Sequence, residues 1–393
     1  MKNTVRIRIY SLLVPVCTDG MMGLVQTALP LLAISFGANA WFLGILGSAP
    51  QFVRLILCLS SGPISDRVGR MRIMLPAAGI AGLACIGFAS AHNKLQLIIF
   101  YALLLGSIGA FYPSFEAFIG DHSPHGELRK NLAFFNMGWS IGGALFATMS
   151  GFLFAGRAAY PFLAAAVLAI MGIGLVIRWS RLPACCFGGE EATPQAQEGP
   201  GALLLISRVG HFLGFFGLSI MRNIFPRLAF DMGMTAGTIG LLTGMVLVGQ
   251  GCGMLLSGIG PWWRGKLWVP ILAQLTMAAV GLTVFMASSK PMLGTAMFVL
   301  GLASGVSCTG ALYYGMQSRS RMGSSTGIYE SLIAAAFIGG SFLGGLTAQL
   351  ISMRSPYIMF ASMALLAALS GTAYARWFNS RHGAEVTINS PRL

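Results

Sequence analysis

Charged residues are scarce in this chain of 393 residues, where they make up 9% of the total, while hydrophobic residues make up 55%. Soluble globular domains carry about 25% charged residues, and the mean hydropathy of this chain, +0.75, lies far outside their range. The composition therefore excludes a packed soluble domain. It predicts an integral membrane protein.

The sequence also lacks the motifs of nucleotide-binding and hydrolytic sites. It contains no G-x-x-x-x-G-K-[ST] loop, no H-E-x-x-H helix and no serine nucleophile elbow. Its seven cysteines, an odd number, show neither a disulfide framework nor the spacing of metal ligands. We therefore predict no enzyme activity, no metal and no cofactor, and we expect a solute or ion gradient to supply any energy.

Twelve long apolar runs are present instead. A helix of about 20 apolar residues crosses the roughly 30 Å of hydrocarbon in a bilayer, whereas barrel strands would alternate apolar and polar residues over about 10 positions. The predicted fold class is an all-α membrane protein. We predict the helices at 9–36, 42–62, 72–91, 95–120, 131–155, 159–179, 203–229, 236–260, 267–288, 291–316, 324–352 and 355–378.

The net charge of +14 is the kind of excess that can indicate nucleic-acid binding. The basic residues cluster in alternate loops, however, which is the positive-inside bias of a membrane protein. We predict a lipid bilayer and no nucleic acid as partner, a bacterial inner (plasma) membrane location and both termini in the cytoplasm. The basic N-terminus runs into a long apolar segment without a small-residue cleavage site, so we expect the first helix here and not a cleaved signal.

A dense charged run separates the second and third apolar segments. It reads Gly62-Pro-Ile-Ser-Asp66-Arg67-Val-Gly69-Arg70, and a related run, Gly258-Ile-Gly-Pro-Trp-Trp-Arg-Gly265-Lys266, follows at a spacing of 196 residues. The same spacing pairs Pro30 with Pro226, Gly44 with Gly240 and Gly109 with Gly305. The sequence therefore predicts two homologous halves.

The pattern G-x-x-x-D-R-x-G-R resembles the signature loop of the major facilitator superfamily, which joins helices 2 and 3 and returns in weaker form between helices 8 and 9. The resemblance implies twelve helices in two pseudo-symmetric six-helix bundles, with a substrate site near the midplane between them. It implies a gating role for Gly62, Asp66, Arg67, Gly69 and Arg70. In the family the loop aspartate braces helix 2 against the start of helix 11, here residues 323–326, whose open amides suit a carboxylate.

The predicted domain boundaries follow from these patterns. Residues 1–180 form an N-terminal six-helix bundle and residues 203–378 a C-terminal one. Residues 181–202 are rich in Pro, Gly and Glu, which predicts a flexible cytoplasmic linker. Residues 379–393 are predicted to be a cytoplasmic tail.

We predict five ionisable residues within the hydrocarbon, where each costs at least about 2.5–3.5 kcal/mol and typically marks an ion or substrate pathway. Asp19 lies near the bilayer centre, and we hypothesise that it couples transport to protons; permanent structural pairing with Arg54 is the alternative. Glu116 and Glu330 are candidates for further protonation sites, although Glu116 is close enough to the interface to reach water. Arg54 and Arg222 stay charged and are candidates for binding an anionic substrate or a carboxylate.

Amide and aromatic side chains in several spans are predicted to line a mixed polar and apolar substrate pocket. We treat them as one group hypothesis, since any single member is more often a packing residue. They are Gln26, Asn136, Trp139, Tyr313 and Tyr314.

The sequence therefore predicts a monomeric secondary active transporter of a small organic solute, coupled to protons and favouring efflux. The helix 5 stretch lacks the Gly-Pro pair of the antiporter motif, and helix 4 lacks the arginine usual in drug/proton antiporters. Proton-coupled uptake of an anionic or siderophore-like solute is the first alternative. A non-transporting membrane sensor or assembly protein is an alternative of a different class.

Overall fold

The computed structural model describes residues 2–123, 127–182, 201–316 and 322–382. These residues form thirteen helices. The helices are α1 (Lys2–Ser35), α2 (Ala40–Val68), α3 (Arg70–Ala89), α4 (Lys94–His122), α5 (Leu128–Gly156), α6 (Tyr160–Ser180), α7 (Gly201–Asn223), α8 (Phe225–Asp231), α9 (Ala236–Gly258), α10 (Trp268–Met286), α11 (Lys290–Met316), α12 (Met322–Leu350) and α13 (Ser355–His382).

Twelve of these helices are long and apolar enough to cross a membrane, and only the seven-residue α8 is too short. Many large apolar side chains on them are exposed, as expected where lipid replaces water as the surrounding solvent. The predicted class, an all-α membrane protein with twelve spans, is confirmed.

One predicted span is divided into two helices in the structure. The run 203–229 forms two helices, α7 and α8, with a turn at Ile224 between them. Pro226 contributes to the break, because proline has no N–H to donate and its ring crowds the preceding turn, but a proline at this position is not sufficient. Pro30, at the equivalent position of the first half, lies inside the unbroken α1.

The contacts group the helices into two compact units. One contains α1 to α6, α8 and the first part of α9, to Gly244; the other contains the rest of α9, from Met245, together with α7 and α10 to α13. The predicted boundaries at 180, 202 and 378 stay predictions.

In the first unit α1 is the central helix. It packs against α5 and α6, and glycines on α5 allow the close approach. A Cβ atom built on Gly138 would lie 2.2 Å from the Leu12 carbonyl oxygen, and one on Gly142 would lie 2.5 Å from that of Val16. Ser150 of α5 donates a hydrogen bond to the Leu24 carbonyl at 2.7 Å.

In the second unit α7 holds the central position and packs against α10, α11, α12 and α13. Ser219 of α7 donates to the Phe337 carbonyl at 2.8 Å and lies 2.6 Å from the hydroxyl oxygen of Ser341. Asn223 donates to the same Ser341 oxygen at 2.9 Å. These bonds satisfy polar groups that lipid could not satisfy.

The internal repeat is visible in the backbone. In the described residues four glycines have positive φ, and they form two pairs at the spacing of 196: Gly37 (φ 70°) with Gly233 (φ 73°), and Gly69 (φ 99°) with Gly265 (φ 70°). Helix ends follow the same spacing, with α2 and α9 beginning at positions 40 and 236, and α4 and α11 at positions 94 and 290.

Candidate functional site

Asp19 lies in the middle of α1 with 7% of its surface exposed. The Tyr112 hydroxyl of α4 donates a hydrogen bond to its Oδ2 atom. Thr18 lies beside the pair, with its Oγ1 3.0 Å from Tyr112 Oη and 3.2 Å from the Val14 carbonyl oxygen. Because the Tyr112 proton points at Asp19, the Thr18 hydroxyl is the donor toward Tyr112 or Val14. The three polar groups form a hydrogen-bonded chain inside the membrane.

Arg54 of α2 is close enough to Tyr112 to interact with it electrostatically. The packing of α2 on α4 positions it: a Cβ atom built on Gly109 would lie 2.5 Å from the Arg54 carbonyl oxygen, so only glycine permits this approach. Ser61 fixes the same seam by donating to the Gly109 carbonyl at 3.2 Å. The structure thus brings the predicted residues Asp19 and Arg54 toward one tyrosine.

The remaining candidate ionisable residues differ in their surroundings: Glu116 lies on α4, Arg222 on α7 and Glu330 on α12. Glu116 is exposed and lies one turn beyond Tyr112 on α4. Arg222 is half-buried on α7, with its guanidinium carbon 5.7 Å from the centre of the Phe337 ring. Glu330 belongs to α12, but its side chain lies outside the described residues.

The five amide and aromatic candidates occupy different surroundings. Gln26 on α1 and Trp139 on α5 are half-buried, and Asn136 is exposed. Tyr314 accepts a hydrogen bond from the Gly265 amide at 2.9 Å, and Tyr313 lies with its ring centre 4.8 Å from the Arg264 guanidinium carbon. Both tyrosines therefore pack against the α9–α10 loop. A substrate contact by any of the five stays a prediction.

The charged run at the end of α2 and the start of α3 forms a compact ion-pair cluster. Arg70 pairs with Asp66 one turn earlier, and its Nε lies 3.3 Å from Asp121 Oδ2 of α4. Arg70 also donates to Ser65 Oγ at 2.8 Å. Gly69 supplies the positive φ of 99° that lets α2 end and α3 begin without a spacer.

The other two gating candidates make fewer contacts. Arg67 is exposed, and Gly62 is half-buried with its nearest neighbour, the Pro113 Cβ, 4.0 Å from a built Cβ. The predicted brace from Asp66 to residues 323–326 lies outside the described side chains. In the second copy of the loop, Trp262 and Trp263 donate their indole N–H groups to the Leu256 and Ser257 carbonyls at 3.0 and 2.7 Å. Tryptophans therefore cap the end of α9.

Sequence reasoning missed Tyr112, Thr18 and Asp121. Tyr112 lies four residues before the candidate Glu116 on the same face of a helix, and this spacing was the available signal for it. Its partner Asp19 is 93 residues away along the chain, so no local pattern joins the two. It also missed the buried His211, a single histidine in an apolar helix.

The sequence model of the Major Facilitator Superfamily matches residues 12–198. The enterobactin exporter EntS of Salmonella choleraesuis is 25% identical over 362 residues, which are 85% of this chain and 84% of that protein. The uncharacterized transporter YqjV of Bacillus subtilis is 27% identical over 213 residues, so the match spans about half of each protein, 51% in both cases. The 4-hydroxybenzoate transporter PcaK of Pseudomonas aeruginosa is 29% identical over 29% of this chain and 26% of its own.

Solved structures share the fold at low sequence identity. A bacterial homologue of the human lysosomal transporter Spinster, in an inward-facing and unoccupied conformation, superimposes with a TM-score of 0.71 at 13% identity, covering 96% of each chain. The nucleoside transporter NupG gives a TM-score of 0.70 at 12% identity, covering 93% of this chain and 99% of that one. With twelve spans in its described residues and a match to the Major Facilitator Superfamily over residues 12–198, the chain is a multi-pass membrane protein similar to transporters, and not enzymes, of that superfamily.

Proposed function

We propose that this transporter couples the movement of a small organic solute to protons, by alternating access, and that it exports the solute. The observation that carries the proposal is the buried Asp19 of α1, bound by the Tyr112 hydroxyl. We further propose that it works as a monomer in the bacterial inner membrane with both termini in the cytoplasm.

The chemistry of the pair suits proton coupling. An ionised Asp19 is stabilised by the charge-assisted hydrogen bond from Tyr112, and Arg54 places a positive charge within electrostatic reach of that tyrosine. A protonated Asp19 loses most of that stabilisation, but it no longer has a charge to bury. Proton binding therefore changes the stability of this arrangement and shifts the populations of the transport states. Glu116 and Glu330 are further candidates for carrying protons.

Export is the proposed direction because the relative that aligns over most of its length is an enterobactin exporter. We propose that the gating cluster of Asp66, Arg67 and Arg70, with Gly62 and Gly69 in the turn, controls access from the cytoplasm. Gln26, Asn136, Trp139, Tyr313 and Tyr314 are proposed to line the solute's path.

Uptake of an anionic solute is the second candidate. Arg222 supports it, because its guanidinium lies over the Phe337 ring and is half-buried in the membrane-spanning α7. A cation beside an aromatic face suits an aromatic carboxylate, and three short matches are to transporters named for 4-hydroxybenzoate and gallate. Arg54 is the other cation proposed for such a site.

The test is transport by the purified protein in proteoliposomes, with and without an imposed pH gradient. Enterobactin, 4-hydroxybenzoate and gallate are the labelled probes, and the probe that raises thermal stability is used first. We expect Asp19→Asn to abolish pH-driven accumulation and to keep exchange of the solute without a gradient. Asp231→Asn, which alters a surface ion pair with Arg227, is the matched control. Unchanged pH-driven transport by Asp19→Asn would refute the coupling role, and the sign of the gradient that drives accumulation gives the direction.

A further inference from the structure

His211 is a fully buried histidine in the middle of α7, with 0% of its surface exposed. Its ring stacks on Tyr329 of α12, with the ring centres 4.2 Å apart, and meets the edge of Phe215 at 5.0 Å. Within the described residues neither ring nitrogen has a hydrogen-bond partner, although the Tyr329 backbone lies beside the ring. The Tyr329 backbone is able to bond only one ring nitrogen, so at least one nitrogen of the imidazole has no partner among the described residues.

Buried polar atoms without partners continue along the neighbouring seam of α7, α10 and α11. Gln274 of α10 is fully buried and donates to the Ile206 carbonyl at 3.0 Å, but its Oε1 has no partner in the described part of the chain. The hydroxyls of Ser304 and Ser307 on α11 are in the same condition. Each unsatisfied buried group destabilises the folded protein, so this set calls for an explanation beyond packing.

The internal repeat relates His211 to the Asp19 site. At the spacing of 196, Asp19 corresponds to Phe215 and Tyr112 to Cys308. The acid and its tyrosine are therefore both replaced in the second unit. His211 stands one helical turn before Phe215, and the ring that covers it belongs to Tyr329, whose hydroxyl lies 2.6 Å from Cys308 Sγ. The central helix of each unit thus has a buried ionisable side chain beside a tyrosine.

We propose that His211 is the protonation site of the second unit, the counterpart of Asp19; this rests on the proposed proton coupling. The neutral ring fits its aromatic surroundings. An imidazolium at the same place would be a buried charge without a counter-ion among the described side chains, which is costly. Protonation of His211 therefore favours a rearrangement of α7 against its neighbouring helices that brings water or an acid to the imidazole ring.

The groups that face His211 support this reading. Tyr329 of α12 covers the ring, Cys308 of α11 bonds to that tyrosine, and Arg208 lies nearly one turn earlier on α7. The sequences of α7, α10, α11 and α13 contain no acidic residue, and Glu330 is the only one in α12. No carboxylate of α7, α10, α11 or α13 can therefore neutralise a charged His211.

The experiment reads the protonation of His211 directly, without a transport substrate. The full-length protein is labelled with ¹⁵N-histidine in lipid nanodiscs, and NMR spectra are recorded from about pH 8 down to about pH 4, which includes the range in which histidines ordinarily change charge. The chain has five histidines, and His211→Gln identifies the signal, or His211→Phe if the first variant does not fold. The exposed His92 serves as titrating control, and His122, buried but bonded to the Phe118 carbonyl at 3.0 Å, as matched control.

We expect the His211 signals to shift from the neutral to the protonated positions within this range and the shift to change in Tyr329→Phe. A signal that stays neutral while His92 titrates overturns the proposal. The two proposals fail separately. If the His211 signal stays neutral and Asp19→Asn loses pH-driven transport, this inference is rejected and the proposed function is kept. A titrating His211 in a protein whose transport ignores the pH gradient rejects the proposed function and leaves the protonation site in place.

Discussion

Gly109→Ala tests the helix seam that positions Arg54 beside Tyr112. The added Cβ would lie 2.5 Å from the Arg54 carbonyl oxygen, against an ordinary contact of at least 3.4 Å, so α2 and α4 must separate by about 0.9 Å. Because the clashing atom belongs to the backbone, no side-chain rotation relieves it. Overpacking of this kind costs about 1–3 kcal/mol, which corresponds to a loss of roughly 2–6 °C in the unfolding midpoint.

The assay is thermal unfolding of the purified protein in detergent, followed by intrinsic tryptophan fluorescence. Gly305→Ala is the repeat-related variant, with a built Cβ 2.2 Å from the Gln250 carbonyl oxygen, and it should lose a similar amount. Gly79→Ala on α3 is the control, because a Cβ there meets nothing within 4 Å and alanine is the better helix former. If Gly109→Ala melts at the same temperature as Gly79→Ala, the described α2–α4 packing is wrong.

Two further predictions concern the ends of the helices. Glu127 accepts hydrogen bonds from Arg8 and Lys130, and these bonds, that of Arg8 most, hold its pKa below the usual range. Glu127→Gln should therefore lower thermal stability at pH 7, and the difference from the unchanged protein should shrink as the pH falls below about 4. A difference that does not depend on pH would argue against the ion pairs. Asp66→Ala should increase the labelling of single cysteines from the cytoplasmic side. Asp121→Ala is the control, since both acids bind Arg70. Equal labelling of the two variants would contradict a separate gating role for Asp66.

The spans and the repeat could be predicted from the sequence because they depend on local composition and on spacing along the chain. The pairs of positive-φ glycines follow the repeat spacing for the same reason, since each turn needs glycine wherever it occurs. The partner of Asp19 could not be predicted. Tyr112 reaches it through the packing of α1 beside α4, and no pattern along either helix specifies which side chains meet. His211 was missed because a lone histidine changes neither hydropathy nor period.

Comparison of the two halves separates what the fold requires from what function requires. Gly109 and Gly305 both face a backbone carbonyl at less than 3 Å from a built Cβ, so both must stay small. At the next contact the glycine lies on the other helix of the pair. Leu57 packs over Gly106 in the first half, whereas in the second half Gly253, the equivalent of Leu57, packs against Leu302, the equivalent of Gly106.

The polar positions behave differently, because Arg54 corresponds to Gln250 and Asp19 to Phe215. Close packing constrains shape alike in both halves, while a charge in the membrane is retained only where it has a use. The equivalent packing of the second unit does without the acid and the arginine, which supports the coupling role proposed for them in the first unit.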